Sequence, residues 1–300
     1  MNKPRRIWIS VAIVAAVSLV ALATLNRSRE PRYNGRTVSE WIRDVGPGSN
    51  ISSNREIRLM LAALGSNAIP PLLANLTADD TALSHLMQWT GKSTLAPSFA
   101  RAWAATNLAS ITWRVRSAAQ ALELLGPKAS LATLQLERLA HKNSLPGHLA
   151  VTVLEKIGQN AVPSLIRLLT NGPPHRRILI LASLERIFRG IEEAEASLIG
   201  LLNDPDKRMR IFVALALSRL RTPPKQAIPP LAEALGLQHE GHWHEAIRAL
   251  ELFAPEHPDA LVAIREASKS VDANLRRLAE ESLWRMAHAS AQQAKAQTSP

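Results

Sequence analysis

Ile157-Gly158-Gln159-Asn160-Ala161-Val162-Pro163-Ser164-Leu165-Ile166-Arg167-Leu168-Leu169 reads as the end of one helix, a tight turn and the start of a second. Its echo is Leu64-Gly65-Ser66-Asn67-Ala68-Ile69-Pro70-Pro71-Leu72-Leu73-Ala74-Asn75-Leu76. Placing the other copies on the alanine of this motif gives Ala68, Ala129, Ala161, Ala194, Ala227 and Ala260. After a first long step, these alanines follow one another at a near-constant spacing. That period of about 33 residues accommodates two helices and their turns, the signature of a stacked array. The step from Ala68 to Ala129 is about two periods and predicts one divergent repeat between them.

Each part of the copy has a physical task. Glycine after the first helix (Gly65, Gly126, Gly158) suits a left-handed residue that ends it. The small alanine sits where two helices approach closely. Proline just inside the second helix (Pro70, Pro163, Pro229) occupies a position whose N–H has no intrahelical partner. Leucines one helical turn apart (Leu72 and Leu76, Leu165 and Leu169, Leu198 and Leu202, Leu231 and Leu235) make the buried stripe of the second helix. The first helix is clearest from Asp206 to Leu220 and from Asp272 to Met286.

Leu-Gly-x-x-Ala-Val/Ile-Pro-x-Leu, preceded by Arg-x-x-Ala-x-x-Ala-Leu as at Arg116–Gly126, resembles HEAT repeats. The resemblance covers roughly residues 55–288, about seven repeats at that period. It departs at Arg221–Gln226, which lengthens one turn, and at Phe253-Ala254-Pro255, which replaces Leu-Gly. It implies an all-α fold, a right-handed α-α superhelix of HEAT-type α-solenoid form. Such a motif specifies a fold and leaves function open. The apolar N-terminus, then Tyr-Asn-Gly-Arg-Thr-Val-Ser-Glu-Trp-Ile, then the repeats, is similar to bacterial envelope HEAT proteins anchored in a membrane.

Composition agrees with helices. Apolar residues make up 46% of the chain and aromatics only 4%, with Ala and Leu dominant and few alternating runs. The absence of cysteine excludes disulfides, thiolate zinc sites and cysteine nucleophiles. Net charge is +11, which would suit nucleic acid or an anionic surface. Residues 1–44 carry eight basic and three acidic residues, so almost half of the excess lies beside one apolar segment.

That segment, Ile7–Leu25, is nineteen residues without a charge, preceded by Lys3, Arg5 and Arg6 and opened by Trp8. A helix of this length spans the hydrocarbon core of a bilayer, and Trp8 suits its interface. The expected organisation is a basic tail at 1–6, a transmembrane helix at 7–25, a juxtamembrane linker and capping helix at 26–54, the array at 55–288 with a divergent insertion at 78–112, and a disordered tail at 289–300. A cleaved signal ending at Ala21-Leu22-Ala23 is the alternative, which would leave a secreted or periplasmic protein. Basic residues flank both ends, but a short basic tail before a long polar domain places residues 27–300 outside the cytoplasm. In the linker, Asn34-Gly35 predicts a turn. Thr37 with Glu40 predicts a capping box, and Val38, Trp41 and Ile42 the apolar face of a short helix over the first repeat.

Function is sought off the motif. The interruption holds Trp89 and Trp103, with Trp113 just beyond, read either as core filler under a longer loop or as a recognition loop at one edge. Gly91-Lys92-Ser93-Thr94 imitates part of a phosphate loop, but the upstream glycine and the preceding strand are missing. Arginines recur at first-helix starts, among them Arg116, Arg177, Arg208 and Arg277. They predict either ordinary solvated turns or a stripe that binds an acidic protein, a lipid or a polyanionic wall polymer. DNA fits least, because an exported tethered domain does not meet it.

His239, His242, His244 and Glu245 form the densest set of metal-type ligands. HEAT-like di-iron hydroxylases use His-Glu dyads from different repeats; here His239-Glu240 and His244-Glu245 share one repeat, and the equivalent helix starts are basic. The expected function is a membrane-tethered protein–protein interaction scaffold, without catalysis or cofactor, whose second helices hold a protein or peptide. The alternatives are a metalloenzyme using residues 239–245 and an anion- or nucleic-acid-binding solenoid using the arginines.

Overall fold

The structure is a computed structural model, which describes residues 30–46, 51–78, 82–92, 94, 97–187, 190–236 and 242–298. The expected basic tail at 1–6 and membrane helix at 7–25 lie outside them. The chain divides into two compact units, Met1–Ile157 and Gly158–Pro300, and the motif that decides the fold begins at the boundary.

The first unit opens with a short hairpin, β1 (Arg32–Tyr33) against β2 (Arg36–Thr37), paired antiparallel with Tyr33 opposite Arg36. Asn34 and Gly35 turn between them at φ 50° and 77°, the backbone a tight hairpin requires. Helix α1 (Val38–Asp44) follows with the expected capping box. The Glu40 N–H donates to Thr37 Oγ1 at 3.2 Å, and the Thr37 N–H donates to Glu40 Oε2 at 2.8 Å. The Thr37 backbone N–H is the main reason the Glu40 carboxyl titrates below the usual glutamate range. Val38, Trp41 and Ile42 are buried. Arg36 pairs with Asp44 at 3.0 Å and lies over the Trp41 ring.

Repeat pairs are built from the first unit's next helices. Helices α2 (Arg55–Leu64) and α3 (Ile69–Leu76) make the first. Then come α4 (Ala82–Lys92), the long α5 (Ser98–Leu125), α6 (Thr133–Ala140) and α7 (Leu145–Ile157). Helix α1 packs on α3 and α5, covering the first repeat. A polar chain ties it down: Asn75 donates to Ser39 Oγ at 2.7 Å, and Ser39 Oγ donates to Glu30 at 2.9 Å. Gly65, Gly126 and Gly158 all have positive φ, at 53°, 52° and 76°. Each ends a helix as expected and leads through a 3-10 turn to the next. Among the described residues, Arg55–Leu76 is apolar and long enough to span a membrane; Gly65 breaks it into α2 and α3, and half of it is core.

The second unit contains α8 (Val162–Asn171), α9 (Arg177–Arg186), α10 (Gly190–Leu201), α11 (Lys207–Leu217), α12 (Ile228–Leu235), α13 (Trp243–Phe253), α14 (Pro258–Ala267) and α15 (Ala273–Thr298). Successive helices pack on each other. Alternate helices also pack: α9 on α11, α11 on α13, α13 on α15, and likewise α8 on α10 and α12 on α14. The result is two layers of helices stacked in sequence order, the geometry of a helical-repeat stack. The expected disordered tail from residue 289 is instead backbone helix, since α15 runs to Thr298.

All six alanines used to set the register are buried, five with no exposed surface and Ala194 at 1%. Every leucine of the four pairs is buried too. The repeat period therefore corresponds to a packing layer, with a methyl group at each place where helices come closest.

Candidate functional site

The interruption at 78–112 differs most from expectation. Its described residues are largely helix, α4 and the first part of α5, because Ala- and Leu-rich sequence without proline from Ser98 to Leu125 lets α5 run through where a turn would divide a repeat. Gly91 and Lys92 form the last turn of α4, the opposite end of a helix from the one a phosphate loop opens. Trp89 is 64% exposed and Trp103 55%; neither fills a core. Trp113 is partly covered, and its ring nitrogen is shielded from solvent without a hydrogen-bond partner. It lines a shallow apolar depression on α5 with Ala105, Leu108, Ala109, Thr112 and the exposed Arg116.

A concavity lies in the first unit, between α3 and the segment from Leu131 through α6. One part, about 620 Å³, is walled by Ile69, Pro70, Leu73 and Ala74 on one side and Leu131, Gln135 and Leu139 on the other. The adjoining part, about 670 Å³, continues past Pro71 to Glu30 and Pro31. Ser66, Pro70, Ala74 and Leu131 line both parts, so the two are one trough. Its floor is apolar. Arg138 and Lys142 stand at one end and Glu30 at the other. Leu131 is 77% exposed, a large apolar side chain with no core to occupy. The repeat motif points to second helices as the binding surface, and α3 and α6 are second helices, but it does not single out these residues. A signal exists: Leu131 and Leu134 fall out of phase with the buried Ala132, Leu136, Leu139 and Ala140.

Several of the arginines fasten neighbouring helices and turns of the stack. Arg177 Nη1 donates to Asp204 Oδ2 at 2.7 Å. Arg210 donates through Nη1 to the Asp204 carbonyl at 2.9 Å and through Nη2 to both Glu233 oxygens at 2.8 and 2.9 Å. The bond to Glu233 is the first cause of a carboxyl held below the usual glutamate range. Arg276, two repeat periods further on, donates to the Ser270 carbonyl at 2.8 Å as Arg210 does to that of Asp204. Asp206 and Asp272 cap their helices at the same spacing. Glu185–Arg219, at 3.0 Å, recurs as Glu251–Arg285. Arg277 pairs with Glu281 on its own helix at 2.9 Å, Arg208 is exposed, and Arg116 faces the depression on α5. Arg176 is buried, and burial pulls its guanidinium pKa below the ordinary arginine value. Arg177, Arg210 and Arg276 are thus engaged by carbonyls and carboxylates of the chain itself, which compete with a solvent-borne anion for the guanidinium.

The histidine turn is only partly described, since His239 and Glu240 lie outside. His242 rests edge-on against Phe212, ring centroids 4.9 Å apart, and reaches Glu245 at 3.6 Å. His244 is exposed. Among the described residues no group of three His, Asp or Glu side chains is placed to hold a metal.

Residues 195–284, within the second unit, match the family model described as HEAT repeats. The match supports the helical-repeat reading of this stack, and stacked repeats of this type commonly present surfaces to protein partners. No curated protein matches the chain at a significant level.

Proposed function

We propose that the chain is a membrane-tethered protein-interaction scaffold without chemistry of its own. In this reading residues 7–25 span the bilayer, residues 27–300 lie outside the cytoplasm, and a protein segment is held in the trough between α3 and α6. The trough carries the reading. It pairs an apolar floor with a cationic end at Arg138 and Lys142 and an anionic end at Glu30. That asymmetry fits a short apolar peptide with its acidic end over Arg138. Interface cores favour such desolvated apolar centres with charged rims. The match of residues 195–284 to HEAT repeats supports a scaffold.

A photo-crosslinking amino acid at Gln135, in full-length protein in its native membrane, tests the reading. One discrete protein adduct is expected, and Leu131→Arg, at a solvent-exposed position, abolishes it. An adduct unchanged by Leu131→Arg would remove the trough from consideration. The tether is tested separately by alkaline extraction: full-length protein released into the supernatant rules out a spanning segment, and protease protection reports the side.

A further inference from the structure

The hairpin of α4 and the first half of α5 carries a surface that the trough does not use. Trp89, near the end of α4, and Phe99 and Trp103, at the start of α5, lie at the same end of the packed pair. Phe99 is 76% exposed, more than either tryptophan. From Thr81 to Leu122 the sequence contains no acidic residue and four cations, Lys92, Arg101, Arg114 and Arg116. Lys92 and Arg101, two or three residues from these aromatics in sequence, are exposed.

We propose that this end of the hairpin is a contact surface for an anionic lipid bilayer. Amphipathic aromatic rings partition to the headgroup level, and cations beside them gain from the negative surface potential of the leaflet. A helix presenting Trp and Phe beside Lys and Arg is the form such interfacial contacts take. A protein partner would fit the aromatics alone; the long acid-free stretch Thr81–Leu122 is what selects an anionic surface. The contact stands independently of the trough and of a spanning segment at 7–25, and it would set the first unit's face toward the bilayer.

Because the chain has no cysteine, a single introduced one reports a single place. Full-length protein carrying a nitroxide at Ala102→Cys, an exposed position on α5, is combined with vesicles of mixed phosphatidylglycerol and phosphatidylcholine, or of phosphatidylcholine alone. A second label at Val262→Cys in the other unit serves as control. In the mixed vesicles the ratio of oxygen to nickel-chelate collisions rises several-fold at 102 and stays constant at 262. Lys92→Gln with Arg101→Gln removes most of the rise, as does Phe99→Ser; the cation pair is exposed, so the test survives if Phe99→Ser disturbs folding. A label at 102 that remains water-accessible in both kinds of vesicle overturns the proposal. So does dipolar broadening between labels, which marks a contact between copies, or protection at 102 only in native membranes, which marks a protein partner.

Discussion

Arg210 offers the most direct test of how the helices of the stack are fastened. Arg210→Met keeps an apolar stem but removes a charge-assisted bond to the Asp204 carbonyl at 2.9 Å and both bonds to Glu233. The carbonyl bond, between a charged donor and a neutral acceptor, is worth about 1.5–3 kcal/mol. The carboxylate pair is partly exposed, 24% and 33% by side chain, and solvent screening limits it to about 0.5–1 kcal/mol. The expected cost is therefore about 2–4 kcal/mol in the local stability of α11 and α12. Arg276 makes the same carbonyl contact at 2.8 Å, with a longer one to the Val271 carbonyl, so Arg276→Met should cost about 1.5–3 kcal/mol around α15. Hydrogen exchange read by mass spectrometry resolves the two segments separately, which a single global melt would not. The Glu233 share also has a pH signature. Its folded pKa is depressed, so its contribution is present above the unfolded glutamate value and is lost as pH falls through the folded one. The difference between the two variants should shrink in acid. Costs below about 0.5 kcal/mol for both, or a larger cost at Arg276, would refute the fastening role.

Gly126→Ala should destabilise the first unit by about 1–3 kcal/mol in a denaturant titration. The cause is conformational, φ being 52°, because the added methyl carbon would lie an ordinary 3.5 Å from the Lys156 carbonyl. Gly172→Ala should cost more despite an ordinary φ, because its methyl carbon would lie 2.1 Å from the Leu168 carbonyl. Burial, aided by Glu245, raises the Glu185 carboxyl above its usual range against the pull of Arg219. Its share of stability therefore falls as pH climbs from the ordinary glutamate range through the raised value, and Glu185→Gln should flatten that part of the pH–stability curve. Purified full-length protein should carry no stoichiometric iron, manganese or zinc by elemental analysis, and His242→Ala should leave the metal content unchanged; one metal per chain, lost in the variant, would revive a metal site.

The parts legible in the sequence are those fixed by local chemistry repeated at a constant spacing. Ala161 and its equivalents, the glycine stops, and the Thr37–Glu40 box each depend on neighbours within one turn or one repeat. The 78–112 segment misleads because a missing period mark looks like a loop, whereas helix propensity carries α5 straight through. The arginines mislead for another reason: Arg177, Arg210 and Arg276 find acceptors in the turn between repeats, and which carbonyl faces which guanidinium is settled only when layers stack. The trough needs two helices far apart in sequence, Ile69–Leu76 and Thr133–Ala140, and only Leu131 and Leu134, out of phase with the core, hint at it.

In the second unit the main helix contacts run from each helix to those one or two places along the chain. Cohesion is then a series of short links, and disturbance decays along it. A partner that grips one pair of helices stiffens the adjoining pairs and leaves distant ones to fluctuate as before. Loss of a link such as Arg210–Glu233 opens a seam at one place, while the stack on either side retains its own order.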